Sequence, residues 1–279
     1  MNGEKTTKDL VLIAPLAAFF LVFFLVPFFY IFYHSLWDPS FTLEHYIHIV
    51  REPLYLKVIF NTIKLAFVAT MVCLILGYPF AFLLATTSEK TSNRLLAIVL
   101  IPFWISLLVR TYSWIVILGR KGLINSILLK IGFIDQPLTL LYTMKGVIIG
   151  MTHILLPYMI ISLFSVMRGI DLELLKAARN LGASSFNAFI RIFFPLSLPG
   201  VTGGSLMVFV MGLGFFVTPA LLGGPKDVVI SVLIENQVTF ILNWGFAFAI
   251  AIALCVIALI MVYFYNRYMG ILKVVGGES

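Results

Sequence analysis

Charged residues are scarce in this sequence: Asp, Glu, Lys and Arg together make up 11% of its 279 residues. In soluble globular proteins the charged fraction is about a quarter. Hydrophobic residues reach 61%, and the mean hydropathy is +1.08. These values exclude an ordinary water-soluble domain and predict an integral membrane protein.

Cysteine is equally rare. The two cysteines, Cys73 and Cys255, fall inside apolar runs, where a free thiol behaves as a small hydrophobe, so neither a disulfide framework nor a cysteine metal site is indicated. His45 and His48 lie at helical spacing but have no third ligand nearby, and we predict no metal site. The net charge of +7 comes from basic residues scattered singly at the ends of apolar runs, which is typical of membrane topology rather than of nucleic-acid binding.

Signatures of catalysis are also missing. The sequence contains no Gly-x-x-x-x-Gly-Lys-Ser/Thr loop, so the chain is not expected to bind ATP phosphates in the usual way. No Ser/His/Asp cluster, metal-ligand set or carboxylate pair falls inside an apolar run, which argues against a membrane-embedded enzyme. All acidic residues fall outside the long apolar runs, so a positively charged solute would meet no carboxylate in the membrane part of this chain.

Long apolar runs are abundant, and each is long enough to cross a bilayer as a helix. We predict transmembrane helices over residues 10–33, 59–86, 95–119, 146–167, 199–222 and 245–265. The first run follows Lys5 and Lys8 as a signal peptide would, but no small-residue cleavage site comes after it, so we predict a retained helix. Six spans place both termini on one side, and the basic residues weakly favour the cytoplasm.

Two segments between the spans have structure of their own. Apolar residues recur at helical spacing between Gly122 and Gly132, which predicts a short amphipathic helix at the interface. Residues 228–241 are too short and too polar to span, and they form either an interfacial helix or a re-entrant element.

The most informative segment is the polar stretch 171–200. Asp171 can cap a helix whose first turn holds Glu173 and whose last turn holds Arg179, so that the charges complement the helix dipole. Gly182 suits the left-handed position that ends a helix. The sequence therefore predicts a capped helix outside the membrane.

A second helix follows, which Ser184 can cap and Pro195 is expected to end. The first helix carries one apolar stripe, formed by Leu174, Leu175, Ala178 and Leu181. A connection between two spans needs neither two capped helices nor an apolar stripe facing water. We interpret the segment as a docking site for another protein; the alternative is a hairpin that lies on the membrane surface.

The docking segment resembles the cytoplasmic motif of permease subunits of type I ABC importers: Glu-Ala-Ala, three residues, Gly, nine residues, then Ile-x-Leu-Pro. This chain has Lys176-Ala177-Ala178, Gly182 and Ile192-Phe193-Phe194-Pro195 at that spacing, with Lys176 in place of Glu and Phe194 in place of Leu. The resemblance implies that the residues that couple to the ATPase are Asp171, Glu173, Lys176, Ala177, Ala178, Arg179, Gly182, Ala183, Ile192 and Pro195.

The resemblance covers nearly the whole chain and extends to the first permease of spermidine/putrescine-type importers. The resemblance rests on five short sequence stretches: Leu76-Gly77-Tyr78-Pro79-Phe80-Ala81, Pro102-Phe103-Trp104, Leu107-Leu108-Val109-Arg110, Leu155-Leu156-Pro157-Tyr158 and Leu221-Leu222-Gly223-Gly224.

This resemblance implies an all-α integral membrane protein with six transmembrane helices in the architecture of the maltose and molybdate importers. It would lie in the bacterial inner membrane, with its coupling loop, residues 168–198, in the cytoplasm. The implied partners are a sister permease, two ATPase subunits that hold ATP and Mg, and an extracytoplasmic substrate-binding protein. This chain itself would bind no cofactor, and the solute would be a polyamine or a similar small organic compound.

Candidates for the solute path are polar, aromatic or helix-breaking residues inside the spans. They are Trp104, Arg110, His153, Phe215, Phe216 and Pro219. A proline in a span frees the carbonyl four residues earlier, which can line a path or simply kink the helix. Arg110 either snorkels to the outer interface or forms a gate, and a hydrogen-bonded structural role is the alternative for His153.

A stand-alone secondary transporter or channel is the competing interpretation. Such a carrier needs ionisable groups in mid-span for ion coupling, and this chain offers only Lys64, Arg110 and His153. We therefore favour the permease of an ATP-driven importer.

Overall fold

The structure is a computed structural model that describes residues 15–16, 18–37 and 40–275, with side chains as far as residue 267. Lys5, Lys8 and residues 10–14 of the first predicted span lie outside the described residues. Every regular secondary-structure element among the described residues is helical, as predicted. The helices are α1 Ala18–Leu36, α2 Glu44–Arg51, α3 Pro53–Thr86, α4 Glu89–Leu100, α5 Leu107–Leu118, α6 Leu123–Lys130, α7 Met144–Met167, α8 Glu173–Asn180, α9 Ser185–Leu213, α10 Val217–Leu222, α11 Ile230–Ile241 and α12 Trp244–Val275.

Among the described residues five helices are long and apolar enough to cross a membrane, or six when one bent pair counts as a single span. The five are α1, α3, α7, α9 and α12, and the bent pair joins α4 to α5. The short amphipathic helix predicted near residues 122–132 corresponds to α6, and the segment 228–241 contains α11.

The chain divides into two compact units. One comprises the described residues up to Leu56 together with Leu233–Ile257, and the other comprises Lys57–Val232 and the described residues from Ala258 onwards. The second unit contains the extended hydrophobic core, the coupling segment and all the candidate path residues.

Helix α7 forms the centre of the second unit. Leu155, Met159 and Leu163 are fully buried there, because neighbouring helices cover α7 on most sides. Small residues let α9 approach closely: a Cβ added at Gly200 would lie 3.1 Å from Val166, and one at Gly204 would lie 2.9 Å from the Met159 sulfur. Packing through small residues is the usual way in which membrane helices associate.

The third predicted span, residues 95–119, is not one helix. α4 ends at Leu100, a 3₁₀ turn covers Ile101–Trp104, and α5 begins only at Leu107. The axes before and after this break differ by 94°. Pro102 explains the interruption, since proline lacks the N–H that continues a helix and disfavours the helical conformation of the residue before it.

The fifth predicted span, residues 199–222, also needs correction. α9 begins at Ser185 and ends at Leu213, and α10 is a separate short helix after the break at residues 214–216. Pro195 does not end the second coupling helix, because a π turn over Phe189–Phe193 precedes it and widens the turn.

Candidate coupling segment and solute path

The coupling segment, residues 171–200, contains two helices, and both are capped. The Asp171 Oδ1 atom accepts the backbone N–H of Glu173 at 2.9 Å, and Ser184 Oγ accepts the N–H of Asn187 at 3.2 Å. Gly182 between them has φ of +93°, which strains any residue with a Cβ. These local signals set the turn between the two helices without help from a bilayer.

Helix α8 has one face on the core and one face free. Leu172 and Leu175 pack against the core of the second unit. Leu174 is 46% exposed, Leu181 is 89% exposed, and Phe186 of the second helix is 70% exposed. The apolar stripe is thus split, and its outer half presents large apolar side chains at a polar end of the protein, where a partner would cover them.

Lys176 stands where the family motif has glutamate, and its charge is already paired. Its Nζ lies 2.7 Å from Glu173 Oε1, one turn earlier on the same helix, and both side chains are well exposed. Pairs of this spacing stabilise a helix by only about 0.2–0.5 kcal/mol. Either partner can therefore exchange this contact for one on a docked protein at little cost.

The other predicted coupling residues lie on the same segment. Ala177, Arg179 and Pro195 are exposed, whereas Ala178, Ala183 and Ile192 are half-buried.

The start of the coupling segment is tied to α4 through Arg168. One guanidinium nitrogen lies 3.4 Å from Ser92 Oγ and another lies 3.6 Å from Glu89 Oε1. The guanidinium carbon also lies 5.6 Å from the centre of the Phe164 ring. A displacement of α8 would therefore reach the broken third span through Arg168.

The second coupling helix is fixed to α3 by aromatic packing. Phe82 meets the rings of Phe189 and Phe193 edge-on, with centroid distances of 5.4 and 4.8 Å. Tyr78 shares a hydrogen bond of 2.8 Å with Ser197. Well-packed rings transmit a shift as a rigid body, so the coupling segment and α3 should move together.

The break between α4 and α5 leaves backbone groups unpaired. Within the described residues, no donor reaches the carbonyl oxygens of Phe103, Trp104 and Ile105, and no acceptor reaches the first N–H groups of α5. At membrane depth such groups are tolerated only where they are buried in protein or line a water-filled cavity. Trp104 is 91% exposed at this point.

Trp114 and His153 join α5 to α7. His153 Nδ1 accepts a hydrogen bond of 3.3 Å from Trp114 Nε1. The Nε and Nη1 atoms of Arg110 are buried, and no described residue accepts from them. His153 is thus hydrogen-bonded to α5, whereas the guanidinium of Arg110 lacks an acceptor in the described part of the chain.

The break after α9 lies on the same side of α7. Thr218 Oγ1 of α10 lies 3.4 Å from Thr111 Oγ1 of α5. The Phe215 carbonyl accepts the Ser231 hydroxyl at 2.7 Å, Phe216 is 39% exposed, and Pro219 is buried in the first turn of α10. Pro219 thus lies in the first turn after the break, and the Phe215 carbonyl, to which Pro219 cannot donate an N–H, accepts from Ser231 instead.

A set of loop contacts was missed in the sequence. Asn61 Nδ2 donates to the carbonyls of Lys226 and Val228, at 3.4 and 3.3 Å, and Thr62 Oγ1 accepts the N–H of Ile230 at 2.9 Å. Two adjacent polar residues in an apolar run, Asn61 and Thr62, were the feature of the sequence that could have indicated these contacts. These contacts fix the loop after α10 onto α3.

Asp227 supplies a further tie. Its Oδ2 accepts the first N–H of α7, on Met144, at 2.8 Å. A carboxylate at a helix N-terminus is stabilised by the helix dipole. No group of three or more His, Cys, Asp or Glu side chains that could hold a metal occurs within the described ranges.

Known proteins share both the sequence and the fold of this chain. Residues 77–268 match the family described as binding-protein-dependent transport system inner membrane component. The spermidine/putrescine transport system permease protein PotB of Escherichia coli strain K12 is 40% identical over 227 residues, which are 81% of this chain and 82% of PotB. PotB of Salmonella typhimurium strain SL1344 is 39% identical over 227 residues, 81% of this chain and 79% of that protein.

The fold matches a solved structure as well. A chain of the bacterial alginate ABC transporter in complex with alginate pentasaccharide-bound periplasmic protein superimposes with a TM-score of 0.80. The match covers 95% of each chain at 20% sequence identity, so it concerns the fold alone.

Proposed function

Because this chain belongs to the family of binding-protein-dependent transport system inner membrane components, we propose that it forms half of the path by which an ATP-driven importer takes up spermidine, putrescine or a similar small organic solute. The chain is a non-catalytic, multi-pass permease subunit of the inner membrane, and the family resemblance seen in the sequence is confirmed. ATP hydrolysis belongs to a partner chain.

The coupling segment is the observation that carries this proposal. Two capped helices expose Leu174, Leu181 and Phe186 at a polar end of the protein, and such a surface suits a groove on a cytoplasmic ATPase. With this segment in the cytoplasm and six spans in all, both termini would also lie in the cytoplasm. Two ATPase subunits would serve two permease chains.

A sister permease fits the free face of α5. Four side chains of α5 are each more than half exposed: Leu108, Val109, Tyr112 and Val116. The unpaired backbone groups at the adjoining break must lie against protein or a water-filled path rather than lipid. A second permease chain facing α5 meets both needs and encloses the path between the two subunits.

The chemistry of the break supports an amine solute. Three free carbonyl oxygens and the open face of Trp104 are groups that bind an ammonium ion, and unwound backbone carbonyls coordinate cations in other transporters. The positive charge of Arg110 nearby keeps such binding weak. Weak binding favours passage, since a solute that binds tightly does not leave.

Movement would pass from the ATPase into the spans by two routes. Closure of the ATPase subunits displaces α8, and Arg168 carries the displacement to α4. The aromatic contacts of Phe82 carry it to α3. Helices packed in this way switch between discrete arrangements, which suits alternating access.

Purification and reconstitution test the proposal. The affinity-tagged chain should copurify with a second permease and an ATPase, and proteoliposomes of that complex should take up labelled spermidine only with internal ATP and external binding protein. Mass spectrometry of the ligand held by the binding protein then identifies the solute. Uptake by the chain alone, without ATP, would overturn the proposal in favour of a stand-alone carrier.

A further inference from the structure

An aromatic cavity of about 530 Å³ is lined by residues of the first unit, which contains none of the residues proposed for coupling or for the path. Its ring-bearing walls are Tyr30, His34 and Trp37 from α1 and the residue after it, and Trp244 and Phe248 from the first turns of α12. Cavities of this volume hold small molecules.

The rings surround the cavity at close range. The ring centroids of Tyr30 and His34 are 4.3 Å apart, and Phe248 lies 6.3 Å from Tyr30 and 6.0 Å from Trp244. No acidic side chain is among the described residues of its wall. Several aromatic rings around one space are an arrangement that binds organic ammonium groups.

Polar groups in the wall are free for a ligand. Asn243 Oδ1 accepts the N–H of Phe246 at 3.1 Å, while its amide nitrogen has no acceptor among the described residues. The Tyr30 hydroxyl and the His34 ring nitrogens also belong to side chains that line the cavity. A few convergent polar groups in an aromatic cavity are typical of a small-molecule site.

The backbone of the wall is also unusual. A π turn over Gln237–Ile241 precedes Leu242, whose φ of 60° and ψ of 27° are left-handed. A bulky residue adopts this conformation only where the surroundings require it, and such strain gathers at ligand sites. π turns show the same association with functional sites.

We propose that this cavity binds the ammonium group of a small amine. The inference depends on the proposed function only for the source of the amine.

Binding can be measured on the full importer complex in nanodiscs without ATP. Saturation-transfer NMR with choline should show saturable binding, whereas its uncharged isostere 3,3-dimethylbutanol should bind several-fold more weakly because the cation–π attraction is lost. Trp37→Leu and Trp244→Leu should each weaken choline binding by roughly 5- to 30-fold. Trp244→Phe should retain most of it.

Phe240→Leu is the matched control, since Phe240 is 73% exposed in the same π turn but does not line the cavity. Equal binding of choline and its isostere, or equal loss in Phe240→Leu, would overturn the proposal. Nanodiscs with and without phosphatidylethanolamine identify the source: competition by that lipid assigns the site to a headgroup ammonium, and competition by added putrescine assigns it to a solute.

The two proposals fail separately. If the complex takes up amines but the tryptophan variants bind choline normally, the cavity assignment falls and the transport function stands. If choline binding is lost in those variants while no amine is taken up, the ammonium site stands and the proposed solute class falls.

Discussion

Replacing Gly182 with valine should separate ATP hydrolysis from transport. Gly182 has φ of +93°, and an added Cβ would meet no atom within 4 Å. The substitution therefore introduces no clash, and its whole effect comes from the backbone. Valine can avoid the strain only if the turn between the two coupling helices changes direction.

The magnitude follows from the cost of a left-handed L-residue. That cost is about 1–2 kcal/mol, and a β-branched side chain lies at the upper end or above it. An energy of this size reduces the population of the native turn by a factor of roughly 5–30. We expect transport per ATP hydrolysed to fall by a comparable factor, while the membrane helices remain folded.

The assay measures labelled solute uptake and phosphate release in the same proteoliposomes. Gly132→Val is the matched control, because Gly132 has φ of +72° and equally open surroundings but lies at the end of α6. Gly182→Asn should keep most of the coupling, since asparagine tolerates the left-handed region.

Two results would refute the reasoning. Normal transport per ATP in Gly182→Val would show that the turn geometry does not matter for coupling. An equal loss in Gly132→Val would show that general destabilisation, and not the coupling turn, is responsible.

Three further changes test the membrane part of the structure. Asp227→Ala removes the acceptor of the first N–H of α7, and thermal unfolding in detergent should show a loss of about 0.5–2 kcal/mol. Gly150→Leu places a Cβ 2.6 Å from a side-chain atom of α10, and the same assay should show a loss of unfolding free energy of at least about 1–3 kcal/mol. Gly203→Ala is its control and should leave stability unchanged, because the added Cβ meets its nearest atom only at 3.6 Å. Phe215→Ala combined with Phe216→Ala should change the KM for solute uptake, and unchanged kinetics would remove both residues from the path.

Local patterns in the sequence accounted for the helical class and the coupling segment. Asp171, Gly182 and Ser184 act through contacts within a few residues, so their roles as caps and turn were readable from spacing alone. The same holds for the Lys176–Glu173 pair, which is set by one helical turn.

Other features were beyond such patterns. A proline in an apolar run can kink, break or merely pass through a helix, and only packing decides between these outcomes. Pro102 accompanies a sharp break, whereas Pro195 lies inside a continuous helix because a π turn precedes it. The contact of Asp227 with the start of α7 joins residues 83 positions apart, which no local signal encodes.

The sequence by itself determined that this chain is a membrane protein, and it predicted a docking segment over residues 171–200, because hydropathy, charge placement and helix caps depend on near neighbours. Tertiary structure alone decided where the helices break, which residue bonds to His153, and how five aromatic rings line one cavity. These are contacts between residues distant in the chain, and their energies depend on packing that the order of residues does not display.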